Sequence, residues 1–210
     1  MLLDPPRQKV HGAAPLIPSD DSELVARAAG GEPTAFEALV ERHRGRIYGL
    51  ALRMLNSEDD AAEVLQETFI SAYRNLANFR GDAQFGSWVL RIAANHALMR
   101  LRHRKVVGQV ESPLDEPTFN ERGSLMDEVA DVGNVEEQAI NHELRDAIEA
   151  AASKLGDDYR EVFVLRDLEG MSYEEIAELT GITVPAVKSR LHRARLSLRS
   201  AIDHFYQDRA

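Results

Sequence analysis

The feature that most constrains this chain is a break in its middle. Residues 106–142 carry nine acidic side chains and one basic one, with Pro113, Pro117, Gly123 and Gly133 among them, and no hydrophobic period survives. A structureless stretch of that length does not sit inside one compact domain, so it divides the chain. The expectation is an extended, partly disordered acidic linker over 106–142, between one unit at 22–105 and another at 143–210. Residues 1–21, with Pro5, Pro6, Pro15 and Pro18, read as a mobile N-terminal tail.

Both units read as helical, which makes the fold class all-α. In the first, Phe36, Leu39, Val40, Ile47, Leu50, Ala51 and Met54 recur at helical spacing. Asn56-Ser57 interrupts, and Ser57 followed by Glu58, Asp59 and Asp60 has the form of an N-cap with acids in the first turn. Ala61, Leu65, Phe69, Ala72 and Leu76 continue on a second helix, Gly81-Asp82 breaks it, and Phe85, Trp88, Val89, Ile92 and Ala93 share one face of a third. In the second unit Leu144, Ile148, Ala151 and Leu155 keep helical spacing.

Composition limits what such a chain can do. The 210 residues include no cysteine, which removes disulfides and cysteine-ligated zinc and suits a reducing cytoplasm. The start Met1-Leu2-Leu3-Asp4 lacks the charged and apolar regions of a secretory signal, and no apolar run approaches the roughly 20 residues of a membrane span. A glycine-rich phosphate loop, a histidine pair at metal spacing and a clustered nucleophile are all missing, so no enzyme, metal or cofactor is expected. The net charge of −10 argues against nucleic acid, but it is concentrated in the linker. Residues 22–105 hold 12 basic and 10 acidic groups, and residues 143–210 hold 10 and 13.

Ser172 to Leu191 has the pattern of a helix-turn-helix. Ser172 and Glu175 make a capping box, Gly181 suits a left-handed turn, Thr183 can cap the second helix and Pro185 fits its first turn. At about 100° per residue, Val184, Val187, Leu191, Ala194 and Leu198 fall inward, and Lys188, Ser189, His192, Arg193 and Arg199 outward. Between Val184 and Arg199 there are five lysines and arginines and no acid. Such a face suits base edges and phosphates in a major groove. A plain solvated helix is the competing interpretation.

In the first unit Arg91, Asn95, Arg102 and Lys105 form a stripe beside the apolar face of the third helix. Two interpretations stand: cations offsetting the helix dipole, or a grip on DNA with the loop Phe79 to Gln84 accepting an unstacked base. Trp88 reads as core, and His96 and His103 as packing residues. Glu63, Gln66, Glu67 and Arg74 read as a solvated face of the second helix.

The segments Asp60–Phe69, Ala72–Leu76, Phe79–Gly81, Phe85–Asn95 and Ser172–Ala177, in this order and spacing, resemble the extracytoplasmic-function sigma factors of the bacterial sigma-70 family. The resemblance spans roughly residues 22–105 and 143–205. It implies a transcription initiation factor built of two helical domains, sigma regions 2 and 4. Glu63, Gln66, Glu67 and Phe69 would dock the β′ clamp helices of core RNA polymerase, with the β flap as a further contact. Phe79, Arg80, Phe85, Arg91, Asn95 and Arg102 would recognise and melt the minus-ten element. Arg166, Lys188, Ser189, His192 and Arg193 would read the minus-thirty-five element. Promoter DNA, core polymerase and an anti-sigma factor are the implied partners, in a stress or envelope response. The chain departs from the family pattern at Glu63, where aspartate is usual, and at Met99, where an acid is usual. A stand-alone helix-turn-helix regulator with an N-terminal sensing or dimerisation domain is the alternative.

Overall fold

The computed structural model describes residues 21–81, 83–108 and 147–207. Residues 1–20 of the expected tail, and the expected linker from residue 109 onward, lie outside them. Every regular element among the described residues is helical. None of these helices is long and apolar enough to cross a membrane.

The first unit has four helices: α1 (Asp21–Ala29), α2 (Pro33–Leu55), α3 (Glu58–Asn75) and α4 (Phe85–Gly108). Their ends follow from the sequence. Pro33 opens α2, where a missing N–H costs nothing. Asn56 closes it with φ 51°, a left-handed conformation that asparagine tolerates. Ser57 then caps α3 by accepting from the Asp60 N–H at 3.3 Å. A short 3-10 turn (Leu76–Asn78) and Gly81 at φ 76° lead to α4. The buried side chains are the ones with helical period: Leu39, Ile47, Leu50 and Met54 of α2, Val64 and Ala72 of α3, Val89 of α4. Ala93, Ala94 and Ala97 are wholly buried, and their small size lets α4 lie close against the other helices. Helix α4 runs three residues past the expected domain end at 105.

The second unit contains helical residues 147–152 (α5), α6 (Asp157–Phe163), a π-helical turn (Val164–Leu168), α7 (Tyr173–Thr180) and α8 (Val184–Gln207). The period through Leu155 overshoots: α5 stops at 152, and Leu155 lies in the bend before Gly156. The π turn carries a buried ion pair. The Asp167 side chain is fully covered and accepts from Arg195 Nε at 2.9 Å and Nη2 at 2.6 Å. This bidentate pair ties the turn before α7 to the middle of α8.

The two units touch. Arg160 is buried, and its Nε donates to the Met54 carbonyl at the C-terminal end of α2, at 3.0 Å. Its Nη1 donates to Leu155 O at 2.9 Å, and Asp157 holds Nη2. One guanidinium therefore satisfies a helix-end carbonyl in the first unit and the α5–α6 bend in the second.

Asp167→Ala removes this carboxylate from the half-buried Arg195 and is expected to destabilise the second unit by about 2–4 kcal/mol. Asp167→Asn, which keeps one acceptor, is expected to cost less. Chemical denaturation of the three proteins checks the order.

Candidate nucleic-acid interface

The helix-turn-helix forms as its sequence pattern requires. Ser172 Oγ accepts from the Glu175 N–H at 3.2 Å, and Glu175 Oε2 accepts from the Ser172 N–H at 2.9 Å. The Ser172 N–H, and the Ser172 hydroxyl that donates to the same Oε2 at 2.8 Å, hold the Glu175 carboxyl below its ordinary range. Gly181 takes φ 76°, and the Ala186 N–H donates to Thr183 Oγ1 at 3.3 Å. Ile176 and Leu179 of α7 and Val187, Leu191, Ala194 and Leu198 of α8 are buried together. With its inner face fixed, α8 turns Lys188, Ser189, His192 and Arg193 away from that core. His192 is exposed, the other three are half-buried, and Arg193 Nη1 meets the Tyr159 hydroxyl at 3.3 Å.

Tyr173, the first residue of α7, is a residue the sequence pattern did not single out. The Arg166 guanidinium lies over its ring at 4.6 Å and Lys188 Nζ at 5.3 Å. Arg166 also donates to Met171 O at 2.7 Å. One aromatic ring thus brings together two cations 22 positions apart in the chain. The only sequence signal was an aromatic residue following the N-cap.

In the first unit, three aromatic rings gather at the start of α4. Phe79 lies 6.0 Å from Phe85 and 4.9 Å from Trp88, and Phe85 lies 5.7 Å from Trp88. Phe85 is 2 % exposed and packs on His43 from beneath, so it is a core residue and not an offered ring. Its apolar face points into the four-helix core, which is the reason. Phe79 and Trp88 are half-buried and Arg80 is exposed, so these carry the accessible surface. Asn95 is exposed on α4.

The cations beside Asn95 have partners, although they keep part of their surface in solvent. Arg91 pairs with Glu178 of α7, with Glu175 at 3.9 Å. Arg102 Nη2 donates to the Leu179 carbonyl at 2.8 Å, and Lys105 pairs with Asp158 of α6. Neither a dipole offset nor a grip on DNA anticipates these partners, which come from more than 50 residues away.

The α3 face is a charged network with α4. Arg100 reaches Glu63 at 2.6 Å, Glu67 at 2.8 Å and Asp60 at 3.2 Å, and Arg104 also holds Asp60. The Arg104 hydrogen bond keeps the Asp60 carboxyl below its ordinary range. Gln66 is exposed. Phe69 is 8 % exposed and meets Phe36 edge-on at 6.4 Å, so it supports the face from inside and does not present to a partner. His96 and His103, expected to pack in the core, instead line a surface hollow of about 340 Å³ with Met99, Arg100 and Arg104. His96 Nε2 is 3.1 Å from Ser71 Oγ.

Glu161, buried in α6, has its carboxyl pushed up to about 7. Burial is the dominant cause, opposed by Lys105 and by Arg190 at 3.1 Å. The folded chain therefore holds this proton to higher pH than the unfolded chain. The associated stability is fully present below the ordinary carboxylate range and is lost as pH rises through about 7. The melting temperature is expected to fall between mildly acidic and mildly alkaline pH, and the fall should shrink in Glu161→Gln. Melting curves across that range check it; an identical slope in the variant removes Glu161 as the cause.

Residues 39–106 match the family description "Sigma-70 region 2", and residues 145–198 match "Sigma-70, region 4". The chain is 34% identical over 190 residues to the RNA polymerase sigma-H factor of Pseudomonas aeruginosa, covering 89% of this chain and 96% of that protein. It is 35% identical over 185 residues to the ECF RNA polymerase sigma-E factor of Escherichia coli K12, covering 87% and 94%. Among solved structures, CnrH in complex with the cytosolic domain of CnrY superposes with a TM-score of 0.52 at 29% identity, over 89% of this chain and 99% of that one. The sigma factor RpoE in complex with the anti-sigma factor NepR from Bartonella quintana shares the fold, with a TM-score of 0.52 at 22% identity over 80% and 96%.

Proposed function

The chain belongs to the sigma-70 family as an RNA polymerase sigma factor of the extracytoplasmic-function type, and from that premise we propose which of its surfaces meets which partner. The first unit is sigma region 2 and the second is sigma region 4. The stand-alone regulator is set aside, because residues 39–106 match a sigma region and not a sensing or dimerisation domain.

The observation that carries the assignment is the outer face of α8. It is acid-free from Val184 to Arg199, fixed in direction by four buried side chains, and fed by two cations gathered on Tyr173. Lys188, Ser189, His192 and Arg193, with Arg166 beside them, read the minus-thirty-five element. Arginine and lysine supply base-edge and phosphate contacts there. In region 2, Phe79 and Trp88 form the apolar wall against which a flipped base of the minus-ten element stacks, with Phe85 behind them. Arg80, Asn95, Arg91 and Arg102 contact the strand. Extrusion costs a few kcal/mol, which stacking in such a pocket offsets. The exposed Gln66, with Glu63 and Glu67 anchored by Arg100, docks the β′ clamp helices of core polymerase, and region 4 reaches the β flap. The protein is an initiation factor and not a catalyst; it acts in the cytoplasm. An anti-sigma factor is a fitting partner, since a solved sigma factor of this fold is bound to one.

Run-off transcription with purified core polymerase on genomic promoter fragments tests the reading. New discrete transcripts that require this protein are expected. Arg193→Ala is expected to weaken upstream-element recognition by roughly 1–3 kcal/mol with region 2 contacts unchanged. Gln66→Ala combined with Glu67→Ala is expected to weaken polymerase binding by co-elution. Equal polymerase affinity in that double variant would sink the docking assignment.

A further inference from the structure

The end of α2 and the facing α5 and π turn leave a cavity of about 140 Å³ between them. Leu52 and Arg53 line it from α2, and Ala152, Val164 and Leu168 from the second unit, with Glu149 beside them. Arg53 Nη2 donates at 2.6 Å to Glu169, just after the π turn, and Nη1 lies 4.0 Å from Glu149. The Glu169 side chain is 3 % exposed and also meets Arg46 at 3.1 Å. Arg53 Nε is different: it is shielded from solvent and donates to no acceptor among the described residues. An N–H of a charged group left unmade and out of water is costly, and folded chains rarely keep one without a partner. Asn56 and Ser153 also border the cavity, but Asn56 is exposed and the Ser153 hydroxyl is committed to Ala150 O at 2.8 Å. A buried water needs two to four polar partners, and most of this wall is carbon.

We propose that this cleft is a ligand site, and that its ligand is a small uncharged molecule with a compact apolar body and one carbonyl or ether oxygen. The volume sets the size: an apolar cavity of about 150 Å³ holds benzene, so the body has about six non-hydrogen atoms. The oxygen accepts from Arg53 Nε, and the body packs on Leu52, Ala152, Val164 and Leu168. The surroundings set the charge. Glu169 and Glu149 already offset Arg53, so an anion would bring a further negative charge against two carboxylates. A cation would meet the guanidinium after giving up its own water. Both units contribute walls, so a bound molecule favours the arrangement in which they meet. The cleft shares no side chain with the surfaces assigned above to DNA or polymerase.

Cyclopentanone, close to benzene in size and bearing one carbonyl oxygen, tests the site in the full chain. Binding is followed by saturation-transfer NMR and by the melting temperature. Saturable binding is expected, half-complete on the order of 1 mM for so small a ligand. The melting temperature should rise with occupancy. Cyclopentane, the same body without the oxygen, should bind roughly tenfold more weakly. Arg53→Lys keeps a cation opposite Glu169 but has no Nε donor, and should lose the preference for the ketone. Ala152→Leu fills the cleft from α5 and Leu168→Phe from the π turn. Each of these that keeps the helical circular dichroism of the native chain should abolish cyclopentanone binding. No saturable binding to the native chain overturns the site, and so does unchanged binding in a folded, filled variant. Equal affinity for cyclopentane and cyclopentanone, or the same preference in Arg53→Lys, overturns the role of Arg53 Nε. Tighter binding of acetate or methylammonium than of cyclopentanone overturns the uncharged class.

Discussion

The arrangement of this molecule depends on the ionic contact between its two helical units, and Glu169 is at its centre. Taking a carboxylate out of water costs several kcal/mol, and it is tolerated only where cations and hydrogen bonds replace the lost solvent. Arg46 and Arg53 of α2 do that for Glu169. Arg160 does the converse, entering from the other unit to satisfy Met54 O at the end of α2. Both contacts fix α6 and the π turn against α2. Once they are fixed, α7 has to fall along α4, where Arg91 and Arg102 find its acids and its last carbonyls.

Inside each unit the same economy recurs, with one side chain serving two purposes. Glu175 caps its own helix and also faces Arg91 across the contact. Asp167 is buried in the π turn to hold Arg195, and so sets how α8 leans on the rest of region 4. Tyr173 begins α7 and gathers Arg166 and Lys188. In each case a residue that shapes the scaffold also determines where a functional cation lies.

Much of the fold was legible in local pattern. Ser57, Asn56, Ser172, Gly181 and Thr183 act at helix ends through neighbours within four residues, and every partner they use is near in sequence. The inner face of α8 is likewise a local property, because the 3.6-residue period decides it. Where the sequence misled, the cause was a neighbour from elsewhere. Phe85 and Phe69 are aromatic residues beside functional motifs, but each has its ring in the four-helix core. His96 and His103 fall near the apolar side of a helical wheel, but that part of α4 borders a charged hollow shared with α3.

By itself, then, the sequence determined the all-helical class, the helix-turn-helix with its caps, the direction of α8 and the family to which the chain belongs. These rest on short-range hydrogen bonds, on hydrophobic period and on motif order, all of which can be read along one dimension. Only the tertiary structure decided that Arg91, Arg102 and Lys105 are engaged by region 4, that Glu169 is buried between Arg46 and Arg53, and that Arg166 and Lys188 share a ring. Ion pairs over such separations have no period and no spacing rule. Which acid meets which base is set by how packed helices bring distant positions together, and the Coulomb energy counts only after that packing has excluded water.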